Sequence, residues 1–249
     1  MSGPAPLAIC FDYGGTLVKI GYPAESLARA GDRLLDDLRI TPPSELPSGE
    51  SFGSRVDRLV DRMVAEAHLL EPLREVEIVS LYGRALHLVL GRQLSQEQVL
   101  EVCLRLQEPW AEVIAVDSRA LPVLGALRQR GLRLGLLSNA PYPPHTMRRM
   151  MEGQGIAQRF DEIVLSSEIG WRKPAPEAFA ALLARLDIPA DRAWFIGDEL
   201  EADIEGARAA GMTALLAPGA RLEAGGRPAL RSWDDLLYRL DGGAEADRP

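Results

Sequence analysis

At 249 residues the chain exceeds one typical domain, so a core with one inserted or appended module is the default expectation. Its 47% hydrophobic and 26% charged residues fit a globular protein that can fold without disulfides or a structural metal. A net charge of −8 argues against nucleic acid or an anionic membrane as the main partner. Along the chain, Leu7-Ala-Ile-Cys-Phe11 is a short apolar run that stops at Asp12 and a glycine pair, which predicts a buried strand ending in a turn. From about Lys19 to Ile114 the pattern is helical. Leu27, Leu34, Leu35 and Leu38 suggest a first helix, and Val56, Leu59, Val60, Met63, Val64, Ala67 and Leu70 a second with Asp57, Arg58, Asp61, Arg62 and Glu66 on its polar side. A third helix is expected over Ile78 to Leu90, and Ser95-Gln-Glu-Gln98 fits a capping box for a fourth.

Beyond this insert, strand-like runs recur at 132–137, 162–165, 193–196 and 213–217, separated by helix-length stretches such as 178–186 and 203–210. Strands alternating with helices predict an α/β fold: a Rossmann-like three-layer core with a parallel sheet covered on both faces. The expected division is a core of residues 1–18 and 115–240, an all-helical cap of 19–114 that could act as a lid, and a flexible tail of 241–249. No apolar run approaches the roughly 20 residues that cross a bilayer. Cys10 and Cys103 form no CxxC or Cys/His cluster, and the N-terminus lacks the pattern of a signal peptide, so a cytoplasmic location is expected. His68, His87 and His145 have neither metal-ligand spacing nor a nucleophile partner.

Four strand-end or loop elements can carry chemistry. In Phe11-Asp-Tyr-Gly-Gly-Thr-Leu17, Asp12 can attack phosphorus, the glycines can offer N–H groups and Thr16 a hydroxyl, although an aspartate there equally suits a turn. Ser138-Asn139 offers a hydroxyl and a backbone N–H, or simply turn chemistry. Lys173 sits between Arg172 and Pro174; only two of the 28 basic residues are lysines, Lys19 and Lys173, so a generic surface charge accounts for it poorly. In Gly197-Asp-Glu-Leu-Glu-Ala-Asp203, Asp198 ends a strand where a carboxylate can hold Mg²⁺, and Asp203 can hold a metal water or orient Lys173. Glu199 and Glu201 also suit a helix N-terminus.

Together, Asp12-x-Gly-Gly-Thr-Leu17, Ser138-Asn139, Lys173-Pro and Gly197-Asp198-x-x-x-x-Asp203 resemble, in order and spacing, the four motifs of the haloacid dehalogenase-like hydrolases. The insert resembles that family's helical cap placed after its first motif. The resemblance implies Asp12 as nucleophile, Mg²⁺ held by Asp12, the Gly14 carbonyl, Asp198 and Asp203, and phosphate contacts from Thr16, Ser138, Asn139 and Lys173. One position departs from it: family phosphatases carry a second aspartate two residues after the nucleophile as general acid and base, and here Gly14 stands there. A positioned acid is commonly worth roughly 10²- to 10⁴-fold in rate. The expected function is a Mg²⁺-dependent phosphatase for a small phosphorylated metabolite, working through an aspartyl-phosphate, as a monomer or homodimer. Two alternatives stand beside it: a binding or regulatory protein that keeps the fold, and a metal-independent 2-haloacid dehalogenase. A phosphonoacetaldehyde hydrolase needs a cap lysine, and residues 20–114 contain none. Lys19, Tyr22, His68, Tyr82 and His87 could line a pocket or merely pack helices.

Overall fold

The computed structural model describes residues 5–41, 43, 46–220 and 229–242. In chain order its elements are β1 (Ala8–Phe11), β2 (Val18–Ile20), α1 (Ala24–Asp37), α2 (Phe52–Leu70), α3 (Ile78–Leu90), α4 (Gln96–Gln107), β3 (Ile114–Val116), α5 (Ala120–Gln129) and β4 (Arg133–Ser138). There follow α6 (Pro144–Gly153), β5 (Glu162–Leu165), α7 (Ser166–Ile169), α8 (Pro176–Leu186), β6 (Ala193–Gly197), α9 (Gly206–Ala209), β7 (Thr213–Leu216) and α10 (Trp233–Leu240). The chain divides into two compact units, one of residues 1–19, 115–140 and 151–249, the other of 20–114 and 141–150. Segment 141–150, expected in the core, therefore belongs to the helical unit. Residues 243–249, most of the expected tail, and Pro42, Ser44 and Glu45 lie outside the described residues.

The first unit is built on a five-stranded sheet in the order β5-β4-β1-β6-β7, with every pairing parallel. Alternation along the strands sends side chains to two covered faces, as a parallel sheet requires. Ala8 and Cys10 of β1, Ala193 and Phe195 of β6, and Ala214 and Leu216 of β7 pack with Phe179, Leu182 and Leu186 of α8. On β1 the alternate residue Phe11 meets Phe160 edge-on at 6.0 Å and Trp233 of α10 at 6.2 Å. A β-carbon at Gly135 would lie 2.8 Å from Leu186, so the smallest residue lets α8 settle onto β4. Burial holds the Cys10 thiol up at about 12, consistent with an inert packing role.

The second unit is helical around one apolar cluster that includes Leu27, Leu34, Phe52, Val56, Tyr82, Leu86, Val102 and Leu106. Its helices begin where the sequence supplies acceptors. Ser51 accepts from the Ser54 N–H, Glu77 from the Ser80 N–H, and Ser95 and Gln98 form the expected reciprocal box at 3.2 and 3.1 Å. Helices α1 and α2 cross so closely that a β-carbon on Gly53 would lie 2.0 Å from the Leu27 carbonyl oxygen. Tyr82 is fully buried, its hydroxyl accepting from Gln107 Nε2 at 2.9 Å, so it is a packing residue with a satisfied polar tip. Asp57, placed by helical spacing on the polar side of α2, is instead only 2% exposed. No helix of the described residues is long and apolar enough to cross a membrane.

Candidate active site

Three neighbouring strands of the first unit, β4, β1 and β6, run parallel, so their carboxyl ends lie side by side. Each ends in one of the polar motifs: Ser138-Asn139 after β4, Asp12 after β1, and Asp198 after β6. In open parallel sheets this edge is where ligands bind. The Asp12 N–H donates to the Ile196 carbonyl at 2.9 Å, which pins the end of β1 to β6. One carboxylate oxygen each from Asp12, Asp198 and Asp203 lies within 4.8 Å of the others, a grouping that could hold a metal ion.

Lys173 reaches this cluster from the loop before α8 and is 4% exposed. Its ammonium donates to Asp12 Oδ1 and to Asp203 Oδ1, both at 2.6 Å, and stands 5.5 Å from the Phe195 ring centroid. Burial favours the neutral amine, but the two carboxylates outweigh it and the lysine pKa lies above its ordinary value. Asp12 moves the same way for a different reason. Burial, together with the negative charges of Asp203 and Asp198, pushes it up to about 7 despite the adjacent ammonium. Fully ionised, three carboxylates facing one ammonium leave two negative charges in excess, which is the charge of one divalent cation.

The loop that carries Lys173 is held by Asn139. Its Oδ1 accepts from the Lys173 N–H at 2.8 Å, and its Nδ2 donates to the Lys173 carbonyl at 3.0 Å. Sequence reading gave Asn139 a phosphate contact; in the structure its amide group is occupied with the lysine backbone. Nothing in a Ser-Asn pair after a strand distinguishes those uses. Losing two hydrogen bonds of roughly 1 kcal/mol each predicts that Asn139→Ala lowers stability by about 1–3 kcal/mol and turnover with it. Equilibrium urea unfolding beside steady-state rates checks this, and a variant as stable and as fast as wild type would contradict it.

Asp203 lies in a π-helical turn, Leu200–Glu205, where an ordinary helix was expected from residue 203 onward. Its Oδ2 accepts from the Asp198 and Glu199 N–H groups at 3.0 Å each, while Oδ1 takes the Lys173 ammonium. The wide turn brings that carboxylate back over β6, and a β-carbon on Gly197 would lie 2.3 Å from Asp203 Cγ. Gly15, at φ +81°, plays the matching part for Asp198: a β-carbon there would lie 2.2 Å from Asp198 Oδ2. The Thr16 hydroxyl, expected on phosphate, donates to Asp198 Oδ1 at 3.0 Å. Gly14 sits in the same turn, where the Leu17 N–H donates to the Tyr13 carbonyl at 2.9 Å. Burial raises the Glu199 carboxyl above its ordinary value, and the charges of Asp203 and Asp198 add to it.

Fold and site define an α/β enzyme with its polar centre beyond the carboxyl ends of a parallel sheet. The chain belongs to the haloacid dehalogenase-like hydrolases, whose family model matches residues 6–211. It is 31% identical over 207 residues to the phosphoglycolate phosphatase of Rhodospirillum rubrum, a match covering 83% of this chain and 77% of that protein. In three dimensions it resembles a 2-haloacid dehalogenase from Pseudomonas syringae pv. Tomato (TM-score 0.67, 20% identity, 95% of this chain and 98% of that one). It also resembles a HAD phosphatase from Thermococcus onnurineus (TM-score 0.59, 21% identity, 95% and 98%). At those identities the likeness is one of fold.

Proposed function

We propose that the protein is a Mg²⁺-dependent phosphatase of the cytoplasm that hydrolyses a small phosphorylated metabolite through an aspartyl-phosphate on Asp12, with the helical unit as its cap. The observation that carries this reading is the buried arrangement of Asp12, Asp198, Asp203 and Lys173. Relatives named as phosphatases support it, the Rhodospirillum rubrum protein over most of the chain.

The donor set fits a hard divalent cation: carboxylate oxygens within 4.8 Å and two uncompensated negative charges. Asp12, Asp198 and the Gly14 carbonyl would hold it. Both Asp203 oxygens are engaged by Lys173 and the two N–H groups, so Asp203 acts behind the ligands, aiming the lysine and the Asp198 backbone. Bound Mg²⁺ would neutralise charge on the phosphoryl oxygens and on Asp12. Asp12 attacks phosphorus, its new O–P bond forming as the bond to the substrate's leaving oxygen breaks, and water then hydrolyses the acyl-phosphate. Lys173 remains protonated throughout and faces the charge that develops on the transferring group. Ser138 and the main chain at Asn139 line the same strand ends.

A metal-independent dehalogenase would leave Asp198, with its Thr16 hydrogen bond and its fitted Gly15, without a task. The two readings separate on heating. With Mg²⁺ at about one hundred times its Kd the folded state gains about 2.7 kcal/mol, a rise in Tm of roughly 5–10 °C for a chain of this size. Asp198→Ala is expected to lose that rise and the activity together. A wild-type Tm indifferent to Mg²⁺, with undiminished turnover in excess chelator, would overturn the metal-dependent reading.

A further inference from the structure

Within the helical unit, a second acidic group is buried. Asp57 on α2 is 2% exposed, and its Oδ2 has no hydrogen-bond partner. It forms no ion pair among the described residues. The guanidinium next to it in sequence, Arg58, bonds Glu50, with Nε 2.8 Å from Oε1, and its charge is the smallest of the influences on Asp57. One turn along the helix stands a second carboxylate, Asp61, at the exposed rim. Burial first and Asp61 second push the Asp57 carboxyl up to about 7.

The surroundings are aromatic. Tyr22 and Trp110 meet edge-to-face with ring centroids 5.8 Å apart, and both flank the Asp57 carboxyl. The indole faces the carboxylate without reaching hydrogen-bond geometry, so Trp110 Nε1 is itself buried and unpartnered. Tyr22 is 43% exposed, so the aromatic pair beside Asp57 reaches the surface. Leaving a buried donor or acceptor unsatisfied costs about 1–3 kcal/mol, and more for a charged group. A position kept only for packing gains nothing from that cost; a position that receives a cation does. A hard metal ion is held by a shell of oxygens, whereas aromatic rings stand around this carboxylate. Carboxylates combined with Tyr and Trp rings suit an organic cation, held by charge and by the ring faces.

We propose that the helical unit carries a binding site for an alkylammonium group, centred on Asp57 with Asp61, Tyr22 and Trp110 around it. The ligand is a free alkylamine in its ammonium form. The test is calorimetric titration of the full chain with ethylammonium, with n-propanol as the neutral control. Saturable binding of the cation alone is expected, weakened more than about tenfold in Asp57→Asn, which keeps the side chain's shape and removes its charge. No binding by wild type, an equal response to n-propanol, or an unchanged affinity in a folded Asp57→Asn variant would overturn the site. Hydrolysis of 4-nitrophenyl phosphate without ammonium binding removes the site and leaves the phosphatase reading; binding without hydrolysis does the reverse.

Discussion

Asp12→Asn is expected to abolish phosphate-ester hydrolysis, by several orders of magnitude, while the protein stays folded. An amide at the end of β1 cannot form the acyl-phosphate, and no other side chain there offers a carboxylate aimed at the same point: Asp203 is held by Lys173 and two backbone N–H groups, and Asp198 by Thr16. The fold should not suffer, and linkage gives the sign. An acid whose pKa is raised on folding binds its proton more tightly in the native state, so its ionisation detracts from stability as pH rises from its unfolded value through the native one. For Asp12 that window runs from 3.8 to about 7, and at pH 8 the penalty is fully present. Asparagine never ionises, so the variant should be at least as stable as wild type at pH 8 and lose any advantage below pH 4. Thermal melts across that range, beside steady-state assays, check both halves. Substantial residual turnover would mean that Asp12 is not the nucleophile; an unfolded variant would mean that the Asp12–Lys173 pair holds the core together.

Much of this arrangement is legible in the sequence, because the sheet ends at its own punctuation. Apolar runs stopping at Asp12, at Ser138 and at Gly197-Asp198 mark strand ends, and a parallel sheet has to bring those ends to one edge. The helices of the insert are equally readable: α3 spans Ile78–Leu90 as its periodicity predicts, and Ser95 with Gln98 builds the expected box. What escapes is whatever depends on contacts between distant segments. Asn139 and Lys173 are 34 residues apart, so no local pattern tells a phosphate ligand from a clamp on a lysine backbone. The π turn at Leu200–Glu205 escapes because helical spacing looks the same until Asp203 has to fold back onto β6. Asp57 is misread for a related reason. A charged residue next to Arg58 looks solvated in sequence, and only the packing of Tyr22 and Trp110 against it reveals the burial. Segment 141–150 follows a core strand and carries no sign that it belongs with the helical unit.

The largest expected selectivity follows from Gly14. With no carboxyl two residues after Asp12, no acid stands at that position to protonate the leaving oxygen, so turnover should depend steeply on leaving-group pKa. Aryl and acyl phosphates, whose leaving groups carry negative charge readily, should exceed alkyl phosphates by roughly 10²- to 10⁴-fold in kcat/KM, the usual worth of a positioned acid. On the proposed reading the transferring group is served in both cases, because Lys173 stands beside Asp12 whichever alcohol departs. Glu199 is the nearest substitute in sequence, but its carbonyl accepts from the Asp203 N–H at 3.0 Å and its N–H donates to Asp203 at 3.0 Å, so its backbone is fixed by the turn that forms the site. Gly14→Asp places a carboxyl where the family's phosphatases carry one, and should raise alkyl-phosphate turnover while leaving aryl-phosphate rates nearly unchanged, flattening the dependence. The measurement is a plot of log kcat/KM against leaving-group pKa for both proteins across phenyl, 4-nitrophenyl, acetyl, methyl and ethyl phosphates. A shallow wild-type slope with fast alkyl phosphates would show that another acid protonates the leaving group, and Glu199→Gln would then be the first variant to examine.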